Sequence, residues 1–179
     1  MDVRGLDDPA LARLVAPAIF SYVGIQYQNM APGVLDERAL AWLQEHLWIL
    51  SGLYGCERPF DAVQPYRLEM GAKLAVGDPD RGSACIVNLA SVEYAKAVLP
   101  HLADHIPIVT CVFSSSLRNG KPVQKSTESK AARGTMVRWM AEMGAEGPDD
   151  LKRFDMGFRF APELSDESGP RQTFVFMKR

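Results

Sequence analysis

The fold class is decided by residues 83–113, which read SACIVNLASVEYAKAVLPHLADHIPIVTCVF. Two apolar runs in this stretch, SACIVNLA and IPIVTCVF, predict buried β-strands. Between them Ser91 is placed to cap a helix over SVEYAKAVL, and Pro100 ends that helix. A strand, a helix and a second strand in succession indicate an α/β arrangement.

The segments that follow extend this arrangement into a mixed sheet. A turn at Asn119–Gly120 predicts a β-hairpin, and helices are expected from about Thr127 to Met143 and over DDLKRF. The alternating runs GFRFA and TFVFMK are joined by a polar loop without a crossover helix, so we expect them to pair antiparallel. We therefore predict an α/β (α+β) fold, with a mixed sheet surrounded by helices in a single domain over residues 1–179.

Two amphipathic helices are predicted before the sheet. The first spans residues 8–20, where apolar residues recur at helical spacing. The second begins at the candidate cap Asp36 and extends to residue 50. Its apolar stripe is formed by Leu40, Leu43, Leu47 and Leu50.

The composition is that of a globular protein, with 47% hydrophobic and 23% charged residues. The apolar runs are too short to cross a bilayer and the N-terminus lacks a signal-peptide layout, so we expect a cytoplasmic protein with no membrane partner. Neither the cysteines Cys56, Cys85 and Cys111 nor the pair His101 and His105 predict a metal site, because C-x-x-C spacing and a third ligand are missing. No P-loop or G-x-G-x-x-G motif occurs, and no cofactor is predicted.

Basic residues are concentrated in one short stretch. Residues 118–138 carry a net charge of +5 in a chain of −2, so the remainder carries −7. This asymmetry suits a local anionic partner, for instance a nucleic-acid backbone or a phosphorylated ligand, although a solvated helix face is the alternative. Helical spacing predicts that Lys130, Arg133 and Arg138 form a ridge along one side of the helix. The basic residues of the stretch are Arg118, Lys121, Lys125, Lys130, Arg133 and Arg138.

A second unusual stretch, LSGLYGCERPFDAVQPYRLEMG, occupies residues 50–71. Gly52 and Gly55 bracket two apolar residues, and Asp61 could cap another helical turn before Pro65. A helix, a glycine hairpin and a second helix would leave backbone N–H groups free to bind a phosphate. This pattern predicts a helix-hairpin-helix-like element, but a plain C-terminal glycine cap explains either glycine equally well.

Polar side chains of the same stretch are candidates for binding an anion. Arg58 and Arg67 lie near aromatic residues such as Tyr66, and arginines in such surroundings hold a phosphate, a carboxylate or a base by paired hydrogen bonds and stacking. The alternative is that Arg67 pairs with Glu69 or Asp61 inside the fold.

Four segments of the chain resemble the YaaA family of bacterial proteins. They are LSGLYGCERPFDAVQPYRLEMGAKL, VNLASVEYAKAV, KAARGTMVRWM and the late Met156–Gly157–Phe158. The resemblance implies an α/β fold with a mixed sheet, a positively charged cleft, a helix-hairpin-helix-like element and binding to double-stranded or distorted DNA. It also implies a cytoplasmic protein of the hydrogen peroxide stress response that is associated with limiting free intracellular iron.

The resemblance and the basic stretch together give the predicted site. We expect DNA or another anion to be bound by Arg58, Arg67, Lys125, Lys130, Arg133 and Arg138. The residues that the resemblance implies as supporting the motifs are Gly52, Gly55, Gln64, Tyr66, Glu69, Asn88, Ser91, Glu93, Tyr94 and Gly134.

The sequence departs from the family pattern in two places. Typical members begin with a segment that carries a Ser-Pro-Ala-Lys-Thr motif, which this sequence lacks, so the chain resembles a shortened member. Cys56 and Glu57 also stand where apolar residues are expected before Arg58.

An enzyme acting on a small anionic or nucleotide substrate is the alternative function. In that case the anion clamps would be Arg58, Arg67, Lys130 and Arg133, with Tyr66 or Glu69 in acid–base chemistry. A closed, concave pocket in which these groups converge would favour the enzyme, whereas a shallow, open basic groove would favour DNA. A folded relative with neither activity is the third alternative.

Overall fold

The structure is a computed structural model and describes residues 15–64 and 85–179. Most of the helix predicted over residues 8–20 lies outside the described residues, as do Tyr66, Arg67 and Glu69. The elements described before residue 65 are β1 (Ala16–Pro17), α1 (Ala18–Ser21), α2 (Ile25–Met30), α3 (Glu37–His46), β2 (Ile49–Ser51), β3 (Gly55–Glu57) and β4 (Ala62–Val63), with a 3-10 turn at Pro32–Val34.

The second described part contains a four-stranded mixed sheet with the strand order β5-β6-β10-β9. β5 and β10 each pair parallel to β6, and β9 pairs antiparallel to β10. The predicted α/β class and mixed sheet are therefore confirmed. The elements of this part are β5 (Ile86–Asn88), α4 (Val92–Val98), β6 (Ile108–Ser114), β7 (Ser116–Arg118), β8 (Lys121–Val123), α5 (Ser126–Met143), α6 (Pro148–Leu151), β9 (Phe158–Phe160) and β10 (Arg171–Lys178), with 3-10 turns at Leu99–His101 and Pro162–Leu164.

Phenylalanine rings fill the core between the sheet and α5. The rings of Phe113 on β6 and Phe176 on β10 stack with centroids 5.3 Å apart, and Phe154 meets Phe176 edge to face at 6.0 Å. Met136 of α5 is fully buried in the same cluster. Each such side chain contributes about 1.5–3 kcal/mol when it is withdrawn from water, so this cluster holds α5 firmly on the sheet.

A glycine lets α2 pack closely against α5. A Cβ placed on Gly134 would lie only 2.0 Å from the carbonyl oxygen of Gln26 in α2. No residue with a side chain fits this position without displacing backbone. The close approach also packs Met30 of α2 into a buried cluster with Leu43 of α3 and Val137 of α5. Gly134 therefore has a structural role in seating the first helices against the rest of the fold.

Several local predictions are confirmed. Asp36 caps α3, since its Oδ1 accepts a hydrogen bond of 2.8 Å from the N–H of Ala39. Asn119 and Gly120 adopt positive φ angles of 51° and 74° and join β7 to β8 in an antiparallel hairpin. α5 begins one residue before the predicted start and ends at Met143 as predicted.

Two predicted helix boundaries are wrong. The helix expected over residues 36–50 ends at His46, because the backbone of Leu47 is extended and Ile49–Ser51 forms β2. In the helix expected over residues 8–20, the described part is helical only at Ala18–Ser21. Pro17 has no N–H to donate inside a helix, and it lies instead in β1, paired with β4.

The glycine stretch forms a β-hairpin, so the helix-hairpin-helix prediction is wrong over residues 50–64. β2 and β3 pair antiparallel, and the Ser51 hydroxyl accepts hydrogen bonds from the N–H groups of Leu53 and Tyr54 in the turn at 3.3 and 3.0 Å. Gly55 has a φ of +80°, a conformation that favours glycine. The segment after Asp61 forms β4 in place of the expected helical turn.

Candidate functional site

A large cavity opens between the first helices and the sheet. Its volume is about 1250 Å³, and residues from α2, α3, α4, α5 and β5 line it. Residues from three separate parts of the sequence thus meet at one concavity. The predicted site residues that line it are Arg58, Asn88, Ser91, Tyr94, Lys130 and Arg133.

Arg133 is a buried cation on the wall of this cavity. Only 8% of it is exposed, and its Nε has no hydrogen-bond partner among the described residues. Its Nη2 makes one long contact of 3.5 Å with Oε1 of Gln124, and no described acidic side chain forms a salt bridge with it. Burial lowers the pKa of Arg133, and the neighbouring Cys111 acts in the opposite direction. The cavity therefore presents a positive charge without a described counter-ion.

Lys130 lies three residues before Arg133, so both side chains project from the same side of α5. Lys130 lines the same cavity and is exposed to solvent. Of the predicted basic ridge, these two residues therefore occupy the cavity side of the helix. Together they can present two positive charges to one ligand.

A smaller cavity of about 310 Å³ also borders Arg133. Asn88 and Thr110 contribute to its lining, at the end of β5 and in the middle of β6. The Asn88 amide donates to Oγ1 of Thr110 at 3.2 Å, and its Oδ1 accepts from the N–H of Ala90 at 3.1 Å. These bonds fix the chain where it leaves β5, so Asn88 supports the wall of both cavities.

The remaining predicted motif residues have varied roles. Ser91 holds the N-cap position of α4, but its side chain makes no capping bond. The backbone N–H of Gln64 donates to the Tyr54 hydroxyl at 3.2 Å, which ties β4 to the glycine hairpin. Glu93 is exposed and is not among the residues that line either cavity.

Arg58 lines the large cavity but is already engaged with the fold. Its guanidinium lies 3.7 Å from the centre of the Trp48 ring, a cation–π contact. Its Nη1 donates to the carbonyl oxygen of Glu45 at 3.0 Å, near the end of α3. Arg58 therefore stabilises the C-terminal end of that helix, as cations at helix C-termini do.

Sequence reasoning missed a buried carboxylate beside the cavity. Glu57 is 4% exposed, and its Oε2 accepts a hydrogen bond of 2.6 Å from the hydroxyl of Tyr22, which lines the cavity. Burial raises the pKa of Glu57, the bond from Tyr22 lowers it, and the nearby Asp61 raises it. The only signal in the sequence was the departure from the family pattern at this position.

The name basic face is used here for four exposed cations that come from β7, β8, the N-cap position of α5 and β10, namely Arg118, Lys121, Lys125 and Lys178. Arg118 and Lys121 are exposed and directly opposite each other in the β7–β8 hairpin. Lys125 and Lys178 lie 3.8 and 3.3 Å from Glu128, and about half of each side chain is exposed. Lys178 comes from the last strand, so sequence spacing could not place it here.

The predicted ridge of Lys130, Arg133 and Arg138 is wrong as a continuous surface. Arg138 lies further round α5 and does not line the described cavities. Its Nε forms a salt bridge of 2.8 Å with Glu142 one turn later. The basic stretch is thus divided between the basic face, the cavity and this surface ion pair.

Cys56, Cys85 and Cys111 are free thiols, and burial raises the pKa of each of them. The described residues contain no group of three or more His, Cys, Asp or Glu side chains that could hold a metal ion. Within the same two ranges no helix is long and apolar enough to cross a membrane.

Comparison with known proteins identifies one family. A family profile described as "Peroxide stress protein YaaA" matches residues 3–82 and 78–164. The chain is 42% identical to a UPF0246 protein of Pediococcus pentosaceus, over 97% of this chain and 73% of that protein. It is 41% identical to a UPF0246 protein of Desulfitobacterium hafniense, over 94% of this chain and 71% of that protein. A UPF0246 protein of Lactiplantibacillus plantarum is 44% identical over 81% of this chain and 64% of its own length.

Proposed function

The chain belongs to the family of the peroxide stress protein YaaA, and from this premise we propose that it serves the hydrogen peroxide stress response in the cytoplasm by binding DNA through its basic face. The observation that carries the proposal is the pair Arg118 and Lys121, two exposed cations directly opposite each other on a hairpin. Like charges in this position destabilise a hairpin. An anion bound across the pair would remove the repulsion.

The geometry of the hairpin suits contact with a phosphate backbone. The Ser114 hydroxyl lies 2.7 and 2.8 Å from the carbonyl oxygens of Ser116 and Val123 and donates its one hydrogen to either of them, which ties the base of the hairpin to β6. Beyond that base, β7 is exposed along its whole length. Lys125, at the N-cap position of α5, is exposed and lies 3.8 Å from Glu128. Lysine and arginine contacts of this kind bind phosphates without reading base sequence.

The test is a titration of fluorescent duplex and bulged DNA with the purified protein. A variant with Arg118→Ala, Lys121→Ala and Lys125→Ala should bind both DNAs at least about tenfold more weakly, because it loses three phosphate contacts. A control with Arg153→Ala, Arg159→Ala and Arg171→Ala removes the same charge from exposed positions elsewhere. If the two variants bind DNA equally well, the basic face is not the DNA site.

The proposal includes the effect on iron that the family resemblance implies. In bacteria that lack their own family member, expression of this chain should lower chelatable iron during peroxide exposure. Electron paramagnetic resonance of cells loaded with an iron(III) chelator measures this pool. An unchanged iron signal in cells whose peroxide resistance is restored would contradict this part of the proposal and leave the DNA part standing.

The large cavity favours a second candidate function, the binding or conversion of a small anionic substrate. Two of the four predicted anion clamps, Lys130 and Arg133, converge on one concave wall. Arg58 lines the cavity too, although its guanidinium is bound to the end of α3. A concave site with a buried arginine is the arrangement expected for a small ligand.

A further inference from the structure

The unpaired charge of Arg133 indicates a ligand site that is separate from the basic face. Arginine is almost never fully buried in proteins unless it is paired. Removing a charged group from water costs several kcal/mol, and an acidic partner normally offsets this cost. Arg133 is 8% exposed, and within the described residues it has neither an acidic partner nor a hydrogen bond at Nε. A bound anion would supply a negatively charged partner and a hydrogen-bond acceptor for Nε.

We propose that the large cavity binds a phosphate monoester of a nucleoside, with the phosphate at Arg133 and Lys130. This inference rests on the second candidate function and names its ligand. A phosphate monoester carries a charge of about −1.5 to −2 at neutral pH, which matches two cations better than a single carboxylate would. The planar guanidinium of Arg133 can donate from Nε and one terminal nitrogen to two phosphate oxygens.

The rest of the cavity suits a planar ring system. Its volume of about 1250 Å³ is far larger than a phosphate group requires. Aromatic side chains from separate elements line it, and nucleotide bases stack on such rings. Polar side chains that could bind ribose or base edges, Gln26 and Gln172, lie on the same walls. The aromatic lining residues are Tyr22, Tyr27, Trp42, Trp48 and Tyr94.

Binding is measured by tryptophan fluorescence and by isothermal titration calorimetry on the full chain. Trp42 and Trp48 both line the cavity, so a bound base should quench their emission. The probes are the four ribonucleoside 5′-monophosphates, their nucleosides and inorganic phosphate. The best monophosphate should bind at least about tenfold more tightly than its own nucleoside, because charged hydrogen bonds contribute about 1.5–3 kcal/mol.

Variants separate a ligand site from a structural role for Arg133. Arg133→Met should weaken binding of the monophosphate by about tenfold to a hundredfold. The same variant should melt at an equal or higher temperature, because it removes a buried charge that has no described partner. Arg138→Met, on the same helix but paired with Glu142 at the surface, is the matched control and should leave binding unchanged.

Four outcomes would overturn the inference. Equal affinity for the monophosphate and for inorganic phosphate would retain the anion site but contradict the nucleoside. Absence of binding by every phosphate compound would contradict a phosphate ligand in this cavity and leave only other anions for the second candidate function. Unchanged binding by Arg133→Met would show that Arg133 does not hold the phosphate. A large loss of thermal stability in the same variant would show that the arginine serves the fold instead.

Discussion

Replacing Gly134 by alanine tests the packing that seats α2 against α5. The added carbon would lie 2.0 Å from the carbonyl oxygen of Gln26, where ordinary contact begins at 3.4 Å, so α2 would have to move by about 1.4 Å. Overpacking costs about 1–3 kcal/mol, and the upper end applies because the obstructing atoms are backbone. Alanine's higher helix propensity offsets about 1 kcal/mol. We expect a net loss of about 2 kcal/mol.

Thermal and urea unfolding give the measurement. For a chain of this size, a loss of about 2 kcal/mol lowers the melting temperature by about 4–8 °C. Gly33→Ala is the matched control, because no atom lies within 4 Å of its added carbon, and it should change stability by less than about 0.5 kcal/mol. The reasoning would be refuted if Gly134→Ala were as stable as the wild type or more so, since helix propensity alone predicts a gain.

Two further predictions concern buried ionisable groups. Burial raises the pKa of Glu57 in the folded state. At a pH between the ordinary carboxyl pKa and this raised pKa, Glu57 is therefore protonated in the folded state and ionised in the unfolded state. The free energy of unfolding then falls as the pH rises through this range. Glu57→Gln removes this fall, so its urea midpoint should improve relative to that of the wild type as the pH rises above the ordinary carboxyl pKa of about 4.3; a difference that does not change with pH would contradict this. Burial raises the pKa of Cys111 to about 12, with Arg133 lowering it and Cys85 raising it, so the thiolate that reacts with peroxide is scarce. Peptide mass spectrometry should find Cys111 unmodified after the folded protein is exposed to peroxide at neutral pH and oxidised only after unfolding, and rapid oxidation in the folded state would refute this.

The mixed sheet and the β7–β8 hairpin could be predicted because their signals are local. The Asn119–Gly120 pair marks the turn of that hairpin, since both residues adopt positive φ angles. The polar loop between the last two strands is too short for a crossover helix, which leaves antiparallel pairing. The end of α3 was not predictable in the same way, because the apolar residues from Leu47 to Leu50 continue a helical stripe and also suit the strand that Ile49–Ser51 forms.

The division of the basic stretch could not be predicted from spacing. Helical periodicity shows which residues share a side of α5, but the burial of Arg133 depends on which elements cover that side. Sequence also gave no means of bringing Lys178 from the last strand to Glu128. The burial of Glu57 could not be predicted either. A carboxylate in a short strand is expected to be exposed, and only the structure shows that the Tyr22 hydroxyl donates to it. The prediction of one domain over residues 1–179 stays a prediction.

The salt dependence of DNA binding tests the proposed function most directly. If three side chains of the basic face each neutralise one phosphate, the logarithm of the association constant should fall against the logarithm of salt concentration with a slope of about −3. The variant with Arg118→Ala, Lys121→Ala and Lys125→Ala should show a slope close to zero, while the charge-matched control keeps that of the wild type. A wild-type slope near zero, or the same slope in both variants, would contradict the proposal that this face binds DNA.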